Sequence, residues 1–378
     1  MAALVGLMVV GTSTGVAYLL KPQELRVAAS RVGLQALVPF RCGGAESRSG
    51  YWFRVTCTQR AVLFAEDFVG TTREHEFAIA TDAAVNDVER SLGRRFISPP
   101  MIYLFPSTIA YTDGVEAFGA SSGAAANTGT HTSGVFLRSA GVILLNLEQI
   151  VSIQTDLRHE LAHALIETAA PGKVPLWLHE GLAITAETDS DDWASTRRRF
   201  VVASMARSGT LPELRRLSDD GEWLAWLADG NWSHGYDYAA EVVSALRGVA
   251  NDAIPLALTS LGAGGDLNSA LVVSADIDLD DLDRELRSRA RANGLNSPGV
   301  SSGVSGSEFI LLFYGFTPGD DVTVEVLGSE SDGEEQVTFD RDGTYLTSLG
   351  STWAPGNYLI RVKQGRSITG VFRVNKPR

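Results

Sequence analysis

The spacing of hydrophobic and polar positions changes along this chain. Up to about residue 118, short apolar runs predict strands and longer amphipathic stretches predict helices. The predicted strands are at about 51–57, 61–65 and 101–105, and the predicted helices at about 72–92 and 107–118. Two more apolar runs, 135–138 and 142–147, flank a short turn and predict a β-hairpin. Residues 175–293 then show mostly helical periodicity.

The pattern changes again after residue 295. Residues 296–307 have the Gly, Ser, Pro and Val composition of a linker. Short strands separated by turn residues follow, at 309–314, 322–326, 336–339, 358–363 and 370–374. About 75 residues with this spacing predict a small all-β sandwich. The predicted fold class is therefore α+β. A segment of residues 21–60 leads into the first strands, a mixed domain covers residues 61–295, and the sandwich covers residues 308–378.

One pentapeptide carries the chemistry of a metal site: His159-Glu160-Leu161-Ala162-His163. Its apolar neighbours continue a helical period through the motif. Residues four apart lie on one face of a helix, so His159 and His163 can offer two imidazole nitrogens to one metal ion. Glu160 lies about 100° further round the helix, where it can reach a water on that metal without binding the metal itself.

A second motif, WLHEGLA, occupies residues 177–183. Pro171 and Gly172 end the first predicted helix, and Pro175 suits the first turn of another. Glu180 therefore lies on a second helix that a short turn joins to the first. A catalytic zinc site needs three protein ligands and one open position, and Glu180 is the candidate for the third ligand.

At these residues the chain resembles the gluzincin zinc metallopeptidases, in particular the peptidase MA-like domains. In that family a HExxH helix is followed by a helix with the pattern WLxEGLA. The matching residues are His159, Glu160, His163, Trp177, Leu178, Glu180, Gly181, Leu182 and Ala183. The resemblance covers about residues 60–250 and implies a gluzincin-type fold, one Zn²⁺ per chain and a protein or peptide substrate. The interval between His163 and Glu180 is slightly shorter than in the aminopeptidase N relatives, and no acidic residue near Ile184 is placed to orient a ligand.

The resemblance also implies features outside the two motifs. Family members often have a tyrosine at the start of a later helix, and Tyr236 in the sequence HGYDY is the match. Tyr236, or in second place His234, would donate a hydrogen bond to the oxyanion that develops during hydrolysis. Packing of Tyr236 or Tyr238 in the core is an equal alternative. A strand of the predicted hairpin would pair with an extended substrate. The C-terminal strands resemble bacterial immunoglobulin-like surface modules.

Other candidate residues are assigned no ligand role. His179 is assigned to the surroundings of the ligands or to the surface, because no second histidine lies four residues on. Glu167 lies about 12 Å along the helix axis from the first histidine of the motif, too far for the same metal. His75 and His131 are assigned to the surface. The Gly-rich residues 119–134 lack the spacing of a phosphate-binding loop and predict a mobile loop.

Composition and the chain ends bear on partners and location. The net charge of −13 argues against a nucleic-acid partner. Residues 2–20 carry no charge and predict a membrane anchor or an uncleaved signal. Cys42 and Cys57 either close a small loop in an oxidising compartment or remain as two buried thiols. We therefore expect a catalytic domain outside the cytoplasm, held at the cell membrane, or secreted if the first segment is cleaved.

The sequence thus predicts an extracytoplasmic zinc-dependent metallopeptidase with Glu160 as the general base. A second hypothesis is a non-catalytic cell-surface adhesion or sensor protein that retains a structural zinc. A third is an adhesion protein that needs no metal. Zinc content and peptide hydrolysis distinguish the three, because only the first predicts both.

Overall fold

The computed structural model of the chain describes residues 42–48, 50–120, 132–188, 192–292, 298–305, 308–317, 319–328, 332–339, 343–349 and 354–376. Those up to Gly172 form one compact unit, and those from Lys173 form a second. The predicted metallopeptidase domain, residues 61–295, is therefore divided between two units. Ten α-helices occur in the described residues together with mixed and antiparallel sheets. This composition confirms the predicted α+β class.

The first unit is built on a six-stranded sheet. Its strands are β1 (Ala45–Arg48), β2 (Tyr51–Cys57), β3 (Val62–Glu66), β4 (Met101–Phe105), β5 (Gly134–Leu137) and β6 (Val142–Asn146). They lie in the order β1-β2-β3-β4-β6-β5. Strands β3, β4 and β6 are parallel, whereas the other neighbouring pairs are antiparallel. Strand β5 is therefore at one edge of the described sheet, and it pairs with β6 in the predicted hairpin.

Three helices complete the described part of this unit: α1 (Thr71–Leu92), α2 (Thr108–Ala117) and α3 (Ile153–Ala169). Helix α2 packs on the sheet face that carries Tyr103 and Leu144. Helix α3 contacts β5 and β6 from the face that carries Leu145, and it also packs against α1. Because both faces are covered, β4 is apolar throughout, and its residues 102–105 are at most 1 % exposed.

Cys42 and Cys57 form a disulfide bond, and their Cα atoms are 5.4 Å apart. The bond ties the chain just before β1 to the last residue of β2. The backbone N–H of Gly43 also donates a hydrogen bond of 2.8 Å to the carbonyl oxygen of Val55. Of the two alternatives that the sequence leaves open for these cysteines, pairing is therefore the one observed.

The second unit begins with seven helices, which confirms the predicted helical content of residues 175–293. They are α4 (Leu176–Thr188), α5 (Asp192–Ser208), α6 (Asp220–Trp226), α7 (Trp232–Val249), α8 (Ala253–Gly262), α9 (Leu267–Ala275) and α10 (Leu279–Ala292). A 3₁₀ turn, Arg216–Ser218, precedes α6, and a π-helical turn, Leu227–Asn231, joins α6 to α7. Helix α7 is central, because it contacts α4, α5, α8 and α10.

The unit ends with two antiparallel sheets. Their strands are β7 (Gly299–Ser305), β8 (Glu308–Tyr314), β9 (Asp321–Leu327), β10 (Asp332–Thr338), β11 (Tyr345–Leu349), β12 (Gly356–Gln364) and β13 (Ser367–Lys376). One sheet has the order β10-β9-β12-β13 and the other the order β11-β8-β7. One apolar core contains residues of both sheets, among them Leu311, Phe313, Val324 and Ile360. The arrangement fits the predicted small all-β sandwich.

Within residues 296–307, predicted as a linker, residues 299–305 form strand β7. This strand pairs with β8 along its whole length. Both strands also contact helix α5, where the ring of Phe200 lies 5.7 Å from the ring of Tyr314. Gly and Ser are weak strand formers, so pairing and packing stabilise β7 where its own composition does not. Strand β7 therefore belongs to the same sheet as β8 and β11.

No helix in the described part of the chain is both long enough and apolar enough to cross a membrane. The predicted membrane segment, residues 2–20, lies outside the described residues. So do His131 and most of the predicted mobile loop, namely residues 121–131.

Candidate metal centre

Helix α3 carries the two histidines of the pentapeptide. The helix begins after Ser152, whose side-chain oxygen accepts a hydrogen bond of 3.4 Å from the backbone N–H of Thr155. All three leucines of the helix are fully buried, and they fix which side of α3 faces the core. His159 and His163 are half-buried. The helix therefore presents both imidazoles on a side that is still partly open.

The two imidazoles are arranged as two ligands of one ion. Their Nε2 atoms are 3.1 Å apart, and their ring planes are inclined at 84°. Zn–N bonds of 2.0–2.1 Å at tetrahedral angles separate two nitrogens by about 3.3 Å. The observed separation is close to that value. The donor set of α3 therefore fits a metal ion without a change of rotamer.

Helix α4 carries Glu180 in its second turn. The backbone N–H of Leu176 donates a hydrogen bond of 2.8 Å to a carboxylate oxygen of Asp220, which fixes the start of the helix. Four apolar residues of the second motif are at most 3 % exposed: Trp177, Leu178, Leu182 and Ala183. Glu180 is half-buried. Most residues of the WLHEGLA motif thus pack α4 into the core, and the half-buried Glu180 is the residue available for chemistry.

His159, His163 and Glu180 form a group that could hold a metal ion. One ligand atom from each lies within 4.8 Å of the others. Among the residues that the structure describes, this is the one group of three or more His, Cys, Asp or Glu side chains with that property. Two nitrogens and one carboxylate oxygen leave a fourth position of a tetrahedral ion for water or substrate.

Gly181, next to Glu180, allows α4 and α7 to approach closely. A Cβ atom at Gly181 would lie 2.7 Å from the carbonyl carbon of Ala239 and 3.0 Å from a methyl group of Val243. Backbone atoms cannot move aside as a flexible side chain can, so glycine is required here by space. The glycine of the WLHEGLA motif therefore serves helix packing beside the candidate ligand.

Glu160 lies against the first residue of the edge strand. It is 6 % exposed, although a carboxylate usually stays in water. A Cβ atom at Gly134 would lie 2.9 Å from Cγ of Glu160 and 3.2 Å from its Oε1. The missing side chain of Gly134 thus leaves room for the Glu160 carboxylate. The edge strand β5 therefore begins, at Gly134, beside the side chain of Glu160, the residue predicted to be the general base.

Two hydrogen bonds hold the residues just before β5. The hydroxyl groups of Tyr111 and Thr132 are 3.3 Å apart, and the hydroxyl of Ser133 donates a bond of 2.5 Å to the carboxylate of Asp156. Burial raises the pKa of Tyr111, and the negative charge of Glu160 adds to the rise. Of the predicted mobile loop at 119–134, the described residues Thr132 and Ser133 are thus hydrogen-bonded to helices, and Gly134 is the first residue of β5.

Sequence reasoning missed Ser133 and Asp156 because they lie 23 positions apart. The signal that could have suggested them is an acid in the first turn of the HExxH helix. Another signal is a serine at the start of a predicted edge strand. Neither has a spacing rule that connects it with the other.

The HGYDY sequence lies in the first half of helix α7. Tyr238 is fully buried, with its ring 5.7 Å from that of Trp226, whereas Tyr236 is half-buried. Tyr236 and Ala239 are three residues apart and share a helix face. Ala239 is on the face that meets Gly181 of α4. Core packing thus accounts for Tyr238, and Tyr236 remains the candidate for the oxyanion; His234 is 8 % exposed.

Glu167 binds Arg138 rather than joining the metal group. The two side chains form an ion pair of 2.9 Å. They line a cavity of about 480 Å³ at the C-terminal end of α3, together with Phe136, Ile143 and other residues. Burial raises the pKa of Glu167, and the charge of Arg138 opposes that rise. Glu167 is not in the group of described side chains that could hold a metal ion.

The other histidines that the structure describes are outside the metal group. His179 is 5 % exposed, so its assignment to the surface is excluded. His75 is exposed on α1, as the sequence predicts.

The chain was compared with known protein families and with curated proteins, and no family model and no curated protein matches it. The site itself combines two imidazoles, one nearby carboxylate and a second, buried carboxylate at the edge of a sheet. This combination can bind a metal ion and accept a proton beside it.

Proposed function

We propose that the protein is a zinc metallopeptidase of the gluzincin, peptidase MA-like type. The observation that carries the proposal is the convergence of His159, His163 and Glu180 within 4.8 Å. The burial of Glu160 against the start of strand β5 supports it. A structural zinc site closes all four positions with protein ligands, whereas this group has three.

His159, His163 and Glu180 would hold the ion. A zinc ion bound there supplies Lewis acidity, which lowers the pKa of water towards 7. Glu160 then accepts a proton from the water that attacks the scissile carbonyl and passes it to the leaving amine. The low exposure of Glu160 favours this role, because a carboxylate is seldom buried unless it has a specific partner.

Two other parts of the chain would bind and polarise the substrate. In the described sheet β5 is an edge strand, and its side that faces away from β6 can pair with an extended peptide, so main-chain hydrogen bonds would align the scissile bond with Glu160. Tyr236 would donate a hydrogen bond to the oxyanion as it gains charge. A peptide lying along β5 is therefore the substrate class that the arrangement favours.

The disulfide supports a location outside the cytoplasm. Cys42 and Cys57 pair, and such bonds persist in oxidising compartments. We propose that residues 2–20 hold the protein at the membrane, or that their cleavage releases it. Mass spectrometry of the mature N-terminus, made on the native protein, distinguishes the two outcomes.

The proposal is tested with a mixed peptide library and metal analysis. Wild-type protein should contain one zinc per chain and cleave the library. Glu160→Gln should keep the zinc, because the residue is not a ligand, and its rate constant should fall by about 10²–10⁴-fold, the usual loss for a general base. The matched control is Glu167→Gln, which changes another carboxylate of the same helix and should keep the rate.

Three outcomes decide among the hypotheses. Zinc binding without hydrolysis of any peptide by the wild type would favour the adhesion or sensor protein with a structural zinc. Absence of stoichiometric zinc after dialysis would favour the metal-independent protein. Equal rates for Glu160→Gln and wild type would remove Glu160 from the mechanism.

A further inference from the structure

The entry to strand β5 is fixed from several directions. The backbone N–H of Asn146 on β6 donates a hydrogen bond of 2.8 Å to the carbonyl oxygen of Ser133. The hydroxyl of Thr132 lies 3.3 Å from that of Tyr111 on α2. The hydroxyl of Ser133 donates a bond of 2.5 Å to Asp156 on α3. The residues that lead into the edge strand are thus bonded to its neighbouring strand and to helices on both faces of the sheet.

Asp156 joins the start of the strand to the start of the helix. One of its carboxylate oxygens accepts the bond from Ser133, and the other accepts a bond of 3.2 Å from the backbone N–H of Ser152. The Ser152 bond belongs to the cap of α3, whereas the Ser133 bond connects α3 with β5. The Ser133 bond is removed by substitution of Ser133, whereas the bond from Ser152 comes from its backbone N–H and remains when the Ser152 side chain is changed.

Two contacts between helix α3 and the entry to β5, Ser133 with Asp156 and Gly134 with Glu160, lie one helical turn apart. Asp156 and Glu160 are four residues apart on α3 and therefore share a face. Their partners, Ser133 and Gly134, are consecutive at the entry to β5. The Ser133–Asp156 bond consequently fixes the position of strand β5 along helix α3. It does so next to the point where Gly134 leaves room for the carboxylate of Glu160.

We propose that Ser133 and Asp156 are positioning residues that hold the edge strand β5 in register with the carboxylate of Glu160. The inference rests on the proposed peptidase function. A general base must lie within about 2.6–3.2 Å of the group it deprotonates. A misplacement of 1 Å can lower a rate by about 10²-fold. A peptide paired with β5 moves with that strand, so the register of β5 decides the distance from scissile bond to base.

The test compares Ser133→Ala with Ser152→Ala. Ser133→Ala removes the bond between strand and helix. Ser152→Ala removes only the side-chain cap, in which the hydroxyl oxygen of Ser152 accepts a bond from the N–H of Thr155, and leaves both bonds of Asp156 in place. For Ser133→Ala we expect kcat for a peptide found in the library to fall by about 10-fold or more, with KM and zinc content little changed. Ser152→Ala should lower the melting temperature, and its kcat should stay near that of the wild type.

Conservative variants provide the rescue. Ser133→Thr keeps a hydroxyl and should keep most of kcat. Asp156→Asn keeps an oxygen that can accept the serine bond and should also stay active, whereas Asp156→Ala should not. Gly134→Ala gives an independent route to the same defect, because the added Cβ would displace Glu160 while the Ser133 bond remains.

Hydrogen–deuterium exchange of β5 gives a readout that needs no substrate. The amides of β5 should exchange faster in Ser133→Ala than in Ser152→Ala. Equal kcat values for these two variants in an active protein would overturn the positioning role alone. Equal exchange rates would overturn the bond as a constraint on the strand. A wild type that cleaves nothing would overturn the proposed function, and the positioning role with it.

Discussion

Polar side chains are used differently in the two helices that carry the candidate metal ligands and in the C-terminal sandwich. In helices α3 and α4 the half-buried polar groups His159, His163 and Glu180 converge on one point. In the sandwich, strand β9 alternates buried Val322, Val324 and Val326 with less buried residues. Among the described residues of the sandwich, no three side chains form a group that could hold a metal ion.

The difference predicts two kinds of sensitivity to substitution. The candidate ligands on α3 and α4 are half-buried polar groups rather than core residues, so replacing one of them should impair chemistry more than folding. A residue of the sandwich core has only packing to lose, so its loss should impair folding and leave the chemistry intact. Each of the following substitutions addresses one side of this comparison.

The largest expected effect is loss of the metal. Replacement of His159, His163 or Glu180 by Ala should abolish stoichiometric zinc, because three ligands are the minimum for a site with an open position. Metal content after dialysis, measured by plasma mass spectrometry, gives the result. His75→Ala is the control, since it removes an exposed histidine of α1 and should leave zinc content unchanged. Full zinc retention in His163→Ala would contradict the assignment of His159, His163 and Glu180 as the metal ligands.

The next effect concerns the sandwich. Leu311 is fully buried in the core of the sandwich, whereas Leu346 on the adjacent strand is 46 % exposed to water. Leu311→Ala should lower the free energy of unfolding by about 2–5 kcal/mol, the usual cost of a buried Leu→Ala change. Leu346→Ala makes the same chemical change and should cost much less. Urea unfolding measures both, and the zinc content of both should equal that of the wild type.

The comparison would be broken by one result. If folded Leu311→Ala had lost its zinc, the metal site would depend on packing in the sandwich, and the two kinds of sensitivity could not be separated.

These two regions also differ in how far the sequence predicts them. The ligands are local: His159 and His163 follow from helical spacing, and a short turn brings the next helix after them. Strand β7 depends on pairing with β8 and on contact with α5, which its Gly- and Ser-rich sequence does not reveal. Ser133 and Asp156 escape prediction for the same reason, because their contact exists only in the folded chain.

A smaller effect is expected at the oxyanion. Tyr236→Phe removes one oxygen and little packing, so zinc content and stability should survive. We expect kcat to fall by about 10²-fold with KM little changed, as for a hydrogen bond made mainly in the transition state. Steady-state kinetics should be measured beside Tyr238→Phe, which alters a core residue, and His234→Ala. Full activity of Tyr236→Phe with loss in His234→Ala would transfer the role to the imidazole.

The smallest predicted effect lies where packing and chemistry meet, at Gly181. An added Cβ would press on the backbone of Ala239, and α4 and α7 would have to separate. We expect Gly181→Ala to lower the free energy of unfolding by about 1–3 kcal/mol, the cost of overpacking, although alanine favours a helix over glycine by about 1 kcal/mol. Gly221→Ala is the control, because that glycine is exposed in α6 and its nearest neighbour is a side-chain oxygen of Asp219.

Gly181→Ala should also weaken zinc binding, because Glu180 is the next residue and moves with the helix. Urea unfolding of the zinc-free protein measures the packing cost, and a competitive chelator titration measures the affinity. A lower stability with unchanged affinity would mean that Glu180 reaches the metal independently of the α4–α7 contact. An unchanged stability would mean that the two backbones have room for a methyl group. If Gly181→Ala lowers both the stability and the zinc affinity, and Gly221→Ala lowers neither, the close packing of α4 against α7 at Gly181 is what positions Glu180 for the metal.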